Sequence, residues 1–399
     1  MRPLIRQFRK KKAVLTALGI VLAMMIAYIW SGEYLETLLQ SEKESGWLRP
    51  TAQQRLLSRV LTAVFTFWFF FVGATIGSFL NVVVYRMPLG KSVIFKPSHC
   101  PFCKASIKAW HNIPVFGWLS LNGRCRKCRL PISPRYPGVE FVCGIIFLLV
   151  FFVQLISGGA NLPIREINEK TGVVRTVFEP QWDLFGLTFL HLFLFCALLT
   201  GSLIHWDGQR IPRRFWITTS TVCLLSVIAF PVLCLVPFGY PFAVSLSPIA
   251  TAALTSLVGG TAGCLFGMLL RLIVRKPDDH RTLFSSPEGI VICLGLVGTF
   301  VGWQAIPFVA LTGLVIASLI VLLRPAFENA PPVPWMMVMS LATFAHHLCW
   351  RWEYLLLPES QEISLITLGV TLLLGVVFAI GIRLLDKADP LLNGQTVQS

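Results

Sequence analysis

Charge is scarce in this chain. Of its 399 residues, 13% are Asp, Glu, Lys or Arg and 55% are hydrophobic, whereas soluble domains carry about a quarter charged residues. With a mean hydropathy of +0.71 and apolar runs repeated from end to end, an ordinary secreted or cytosolic enzyme is excluded and a membrane protein is the first reading. Acid is the scarcer sign, 19 Asp and Glu against 34 Lys and Arg, and the basic residues lie between apolar runs, not on one soluble stretch. That placement argues against a nucleic-acid partner and for loops on the cytoplasmic side of a bilayer. No apolar run carries a charge near its middle, which weakens a reading as an ion-coupled transporter. No small-x-small cleavage site follows the first apolar stretch, so Ala13–Trp30, after the basic block Met1–Lys12, reads as a signal anchor.

Further spans are predicted at 59–80, 139–157, 183–204, 214–237, 248–274, 288–303, 305–323, 332–350 and 364–383, ten in all. Lys and Arg in short loops mark the cytoplasmic side, and one assignment satisfies every loop. With 1–12 inside, 31–57 falls outside and 86–138 returns inside with ten Lys or Arg and no acid. The loops 205–213 and 271–287 (Arg271, Arg275, Lys276, Arg281), Arg324 and the tail with Arg383 and Lys387 then also lie inside, so both termini are expected to be cytoplasmic. The expected fold is an all-α polytopic membrane protein of about ten transmembrane helices with a small cytoplasmic zinc-ribbon-like insertion. Its expected segments are an extra span and outside loop (1–58), a span (59–85), the insertion (86–138), a larger membrane domain (139–350), and an extra span with a cytoplasmic tail (351–399).

The insertion holds four of the eleven cysteines, as Cys100-Pro-Phe-Cys103 and, after 21 residues, Cys125-Arg-Lys-Cys128. Each C-x2-C turn offers two thiolates to one ion. Two such turns close a tetrahedral Zn2+ with no open position, so the expected zinc is structural. Disulfides are not expected in a reducing cytoplasm, and Lys104, Arg124, Arg126, Lys127 and Arg129 offset the charge of four thiolates. Reduced thiols or a redox pair are the alternatives. His99 adjoins the first pair, but four sulfurs already complete the shell. The other seven cysteines lie singly in apolar runs, where buried small hydrophobes are common.

Around these cysteines stand Gly77-Ser-Phe-Leu-Asn-Val-Val-Val-Tyr-Arg-Met-Pro88, Trp110-His-Asn-Ile-Pro-Val-Phe-Gly-Trp118 and Ser133-Pro-Arg-Tyr-Pro-Gly-Val-Glu140. Together they closely resemble the amino-terminal region of the type IV prepilin leader peptidases. The resemblance implies a bacterial inner-membrane aspartic endopeptidase that cuts the leader of prepilin or pseudopilin precursors, of type IV pilus or type II secretion assemblies, at the cytoplasmic face. It also implies that the same enzyme methylates the new N-terminal amine with S-adenosylmethionine, for which no independent sequence motif is seen. Family substrates carry a positively charged leader, so attraction to the basic insertion is not expected to dock them; anionic lipid headgroups are the expected partner of those charges. The resemblance spans about 60–350. Set on Ile211-Pro212, the first family aspartate falls on His205, the second on Asp207 and the one after proline on Arg213. Counting back from Gly298-Thr-Phe-Val-Gly-Trp-Gln-Ala-Ile-Pro307 places the other catalytic aspartate at Ile290, with Ser285-Ser-Pro-Glu-Gly289 where the glycine-rich motif belongs.

An aspartic peptidase needs two carboxyl groups close enough to share a proton, one ionised to activate water and one neutral to hydrogen-bond the carbonyl. His205 and Ile290 cannot reproduce that pair. The nearest acids, Asp207 and Glu288, are the candidate catalytic residues of a displaced dyad. Each stands two residues from the expected place, a step that turns a side chain by roughly 200° on a regular helix, so the pair requires irregular backbone near Pro212 and Pro287. Two functional readings remain open: an active processing enzyme, and a pseudopeptidase that binds such precursors or supports a secretion or pilus assembly. Plainer roles exist for the same residues. Glu288 suits the first turn of a helix, and Asp207-Gly208 suits a turn flanked by Arg210 and Arg213. His205 could replace an aspartate as a metal or acid–base group, hydrogen-bond Asp207, or lie at the interface. His346-His347 with Cys349 has the chemistry of metal ligands, but adjacent helical positions diverge by about 100°. Gly259-Gly-Thr-Ala-Gly263 and Gly267 are expected to form a helix-packing face rather than a phosphate loop.

Overall fold

The computed structural model describes residues 51–93, 98–163, 165, 172–236, 246–274, 284–323 and 332–355, with 373, 376, 377 and 380. The span expected at 13–30, most of that at 364–383, and Arg275, Lys276, Arg281, Arg324, Arg383 and Lys387 lie outside the described residues. What is described is helical: α1 Ala52–Arg86, α2 Phe116–Ser120, α3 Arg135–Val150, α4 Val173–Phe178, α5 Trp182–Trp206, α6 Arg213–Ala229, α7 Pro248–Val274, α8 Glu288–Val301, α9 Ala305–Leu323 and α10 Trp335–Leu355. Two short strands, β1 Phe284–Ser285 and β2 Val333–Pro334, pair in parallel just ahead of α8 and α10. Five segments are long and apolar enough to cross a membrane: α1, α3 with its π-helical continuation to Ile156, α5, α7 and α9. The protein is a polytopic α-helical membrane protein, with five such helices among the described residues where the sequence suggested ten spans.

The differences have local causes. α1 begins at Ala52 and not near 59, because Thr51 and Gln54 form a reciprocal cap: the Thr51 amide donates to Gln54 Oε1 at 2.8 Å and the Gln54 amide to Thr51 Oγ1 at 3.2 Å. At 35 residues α1 is about 52 Å long, well beyond a hydrocarbon core of about 30 Å. The span expected at 214–237 is broken, since α6 stops at Ala229 and Pro231 opens a 3₁₀ turn, Pro231–Leu233, proline having no amide to continue a helix. α8 has only 14 residues, about 21 Å. By contrast α7 and α9 occupy the expected 248–274 and 305–323.

The described residues of Met1–Arg86, Lys91–Gly158 and Asn168–Gln181 form one compact unit, and those of Met87–Gly90, Gly159–Ile167 and Trp182–Ser399 another. In the first, α1 packs on α3 with Gly73, Gly77 and Gly144 at the contact, where a Cβ on Gly77 would come within 2.9 Å of Glu140 Cα. In the second, α7 lies along α8 through the expected glycine face. A Cβ on Gly259 would fall 2.0 Å from the Gly298 carbonyl oxygen, and one on Gly263 would fall 2.1 Å from that of Leu294. Such backbone proximity is how apolar helices associate where lipid tails remove any hydrophobic preference for helix over solvent. α5 is the most enclosed long helix and packs against α8 and α10.

Gly263→Val is therefore expected to push α7 off α8, lowering the thermal unfolding midpoint in detergent by a cost at the upper end of about 1–3 kcal/mol. Thr261→Val, at an exposed position of the same helix, is the control that leaves the midpoint in place.

Candidate functional site

The four cysteines come together as the spacing requires. Their sulfurs all lie within 4.8 Å of one another, with Cys100–Cys128 and Cys103–Cys125 each 3.9 Å apart. Zn–S bonds of about 2.3 Å arranged tetrahedrally place sulfurs about 3.8 Å apart, so these residues fit a zinc ion. None is in a disulfide, and His99 is not part of the cluster.

Two equivalent turns build the cluster. In the first, the Cys100 amide donates to the Ala105 carbonyl at 2.9 Å and the Lys104 amide to the Cys100 carbonyl at 3.0 Å; in the second, Cys125 donates to Leu130 at 2.9 Å and Arg129 to Cys125 at 3.1 Å. Each is closed by an antiparallel bridge, His99 to Ser106 and Arg124 to Pro131. The residue after each second cysteine takes the left-handed conformation, Lys104 at φ 57° and Arg129 at φ 65°. The backbone amides of Cys128 and Lys127 donate toward the Cys125 sulfur and lower its thiol pKa, which favours the thiolate, the ligand form.

The other motif segments meet one another. Val115 has φ 61° and ψ −54°, and the Phe116 amide donates to the Pro114 carbonyl at 2.6 Å; this is a γ-turn of the strained, positive-φ kind, unusual for a β-branched residue. The Val115 amide donates to Glu140 Oε2 at 2.6 Å, so the first turns of α3 hold the strained turn in place. Gly117 follows because a Cβ there would sit 2.3 Å from the His111 carbonyl oxygen. Trp118 Nε1 donates to the Ile132 carbonyl at 2.9 Å, and Asn81 Nδ2 of α1 donates to the Tyr136 carbonyl at 3.2 Å. In the sequence Glu140 stands out only as the end of the Ser133–Glu140 motif. Its signal was that it is the first acid after the acid-free 86–138.

The region of the expected acid pair is arranged differently. α5 ends in a Schellman cap, with Gln209 donating to the Ile204 carbonyl at 3.1 Å, Gly208 to that of His205 at 2.9 Å, and Gly208 at φ 67°. His205 is 5% exposed and its Nδ1 has no hydrogen-bond partner among the described residues; a Cβ on Gly289 would lie 3.0 Å from that nitrogen. Ile290, next to Gly289, is fully buried. The two positions onto which the aspartates fall are thus close neighbours across α5 and α8, filled by an imidazole and an aliphatic chain. Asp207 and Glu288 are both exposed, and Glu288 Oε1 is 3.9 Å from an Arg271 guanidinium nitrogen. Three further histidines pack: His346 Nδ1 bonds the Glu353 carboxylate, Asn161 Nδ2 donates to the His347 carbonyl at 3.0 Å, and the His191 and His347 rings meet edge to face at 4.7 Å. Cys349 is exposed. Among the described residues, the four cysteines are the one cluster with metal-ligand geometry.

Residues 71–154 match the family model of the bacterial Peptidase A24 N-terminal domain. Over 257 residues the chain is 42% identical to the type 4 prepilin-like proteins leader peptide-processing enzyme of Escherichia coli O78:H11 (strain H10407 / ETEC), a match covering 60% of this chain and 78% of that one. Over 244 residues it is 42% identical to the prepilin leader peptidase/N-methyltransferase of Klebsiella pneumoniae, covering 60% and 86%. A protein of the same description from Myxococcus xanthus (strain DK1622) is 45% identical over 84 residues, which are 21% of this chain and 25% of that relative. No solved structure matches.

Metal analysis of the purified chain is expected to give one zinc per molecule, lost in Cys100→Ser and retained in Cys349→Ser. Glu140→Ala removes the acceptor of the Val115 amide. It is expected to cost about 1.5–3 kcal/mol, read as faster proteolysis of residues 98–134 with the membrane helices intact.

Proposed function

Because this chain belongs to the prepilin leader peptidase/N-methyltransferase family, we propose that it processes prepilin or pseudopilin precursors in the bacterial inner membrane, cleaving the leader at the cytoplasmic face and N-methylating the new terminus. The observations that carry this reading are the meeting of the segments around Gly77, Val115 and Glu140 and the four sulfurs within 4.8 Å of one another. They support a functional family module, not a remnant. The acid-free, basic 86–138 supports a cytoplasmic place for the module and both termini. The segments 1–58 and 351–399 are then additions outside the processing domain.

Zn2+ held by Cys100, Cys103, Cys125 and Cys128 would be structural, since four thiolates leave it no open position. For cleavage, the acids available are Asp207 at the C-terminal end of α5 and Glu288 in the first turn of α8. One takes a proton from water as a carboxylate while the other, as a carboxylic acid, hydrogen-bonds the scissile carbonyl. Their exposure lets water and a peptide reach them. S-adenosylmethionine would supply the methyl group, and no residue is assigned to its binding. The second reading, a pseudopeptidase that binds precursors without cutting them, rests on the interior residues His205 and Ile290, which offer no acid pair.

The deciding assay is co-expression with prepilins of the same genome. Asp207→Asn and Glu288→Gln are each expected to lower cleavage by about 100- to 10,000-fold. Cleavage indifferent to both substitutions removes the displaced dyad. No cleavage by folded, zinc-loaded wild type across several prepilins leaves the binding protein.

A further inference from the structure

The two knuckles are equivalent in backbone, bond for bond, so their tips occupy equivalent places on either side of the four sulfurs. The chemistry at those tips is opposite. One carries Pro101-Phe102 and the other Arg126-Lys127. Phe102 is 67% exposed and Trp110 61% exposed, with Ile107 at 40%. Lys108 Nζ stands 5.0 Å from the Trp110 ring centre, and Lys104, Lys108, Arg126, Lys127 and Arg129 are exposed. No acid lies anywhere in 86–138 to answer these charges.

An exposed aromatic pair interleaved with uncompensated cations has the composition of a membrane-interface surface, where rings sit at headgroup depth and ammonium and guanidinium groups meet phosphates. The chain supplies the proximity. The module is an insertion between α1 and α3, and only six residues lie between Cys128 and Arg135 at the start of α3, a reach of at most about 25 Å. It cannot leave the neighbourhood of the bilayer through which these helices pass. We propose that the zinc module docks Phe102, at the tip of the first knuckle, and Trp110, in the turn Ala109–His111 that follows it, with the flanking lysines and arginines, on a leaflet of anionic phospholipid. The zinc ion then has a second consequence beyond folding: by joining the two knuckles it fixes an apolar tip and a cationic tip at a set separation. This docking does not require cleavage activity, so its failure and that of the processing reading are separable.

The test is hydrogen–deuterium exchange of the full chain in nanodiscs of phosphatidylcholine alone and of phosphatidylcholine with phosphatidylglycerol. Peptides covering 98–113 and 124–132 are expected to exchange more slowly with the anionic lipid, and raised salt should erase the difference. Lys104→Gln and Lys108→Gln should each weaken the contact about fivefold. The double variant Phe102→Ser, Trp110→Ser should abolish the protection while keeping its zinc. Equal exchange in the two nanodisc types overturns the proposal, as does protection that arises only on adding a single-stranded oligonucleotide.

Discussion

Four cysteine sulfurs around one point are the constraint on which the module of residues 98–134 depends, because it has almost nothing else at its centre. Between 98 and 134 only Cys100, Pro114, Gly117, Gly123 and Cys125 are buried, and a segment of that size without an apolar core needs a metal or a cross-link to fold. Metal-binding free energy is then folding free energy. The strained turn at Val115 follows from this arrangement. Its positive φ is held from below by Glu140 and flanked by Gly117 and Trp118, so the strain is borne by contacts with α3 and the second knuckle.

The membrane part answers a different problem. Lipid gives helices no hydrophobic reason to associate, so α7 and α8 rely on backbone contact through Gly259, Gly263, Gly267 and Gly298. The same device recurs between α1 and α3 at Gly73, Gly77 and Gly144. Gly77 therefore links the two regimes: it lets α3 approach α1 at the level of Glu140, the residue that reaches up to the module.

What the sequence made legible was what is encoded locally. The metal spacing could be read because each knuckle is complete within a few residues. α7 and α9 could be read because a long apolar run between polar flanks has one solution in a bilayer. The start of α1 was missed because Gln53, Gln54 and Arg55 are polar, and only the Thr51–Gln54 cap makes them helical. The role of Glu140 was hidden because its partner lies 25 residues away, across a fold that hydropathy does not describe. The break after Ala229 was available in Pro231, and the length of the apolar run outweighed it.

The acid question turns on helix rotation. His205 is buried and Asp207, one residue past the end of α5, is exposed; Ile290 is buried and Glu288, the first residue of α8, is exposed, as a two-residue step at a helix end gives. To bring Asp207 or Glu288 into the α5–α8 contact, a helix would have to turn by roughly half a revolution. α8 is held against that by close backbone contacts: Gly298 faces Gly259, Leu294 faces Gly263, and Gly289 meets Met336 of α10. α5 is fixed by its own enclosure and by the Gly208 cap. Chemistry by these two acids must therefore take place on the exposed side of the helix ends, with the substrate's backbone brought to them, and not in the interior between α5 and α8. A protein that cuts in this way would owe its specificity to what presents the peptide at those helix ends, and one that does not cut would keep the same surfaces for holding it.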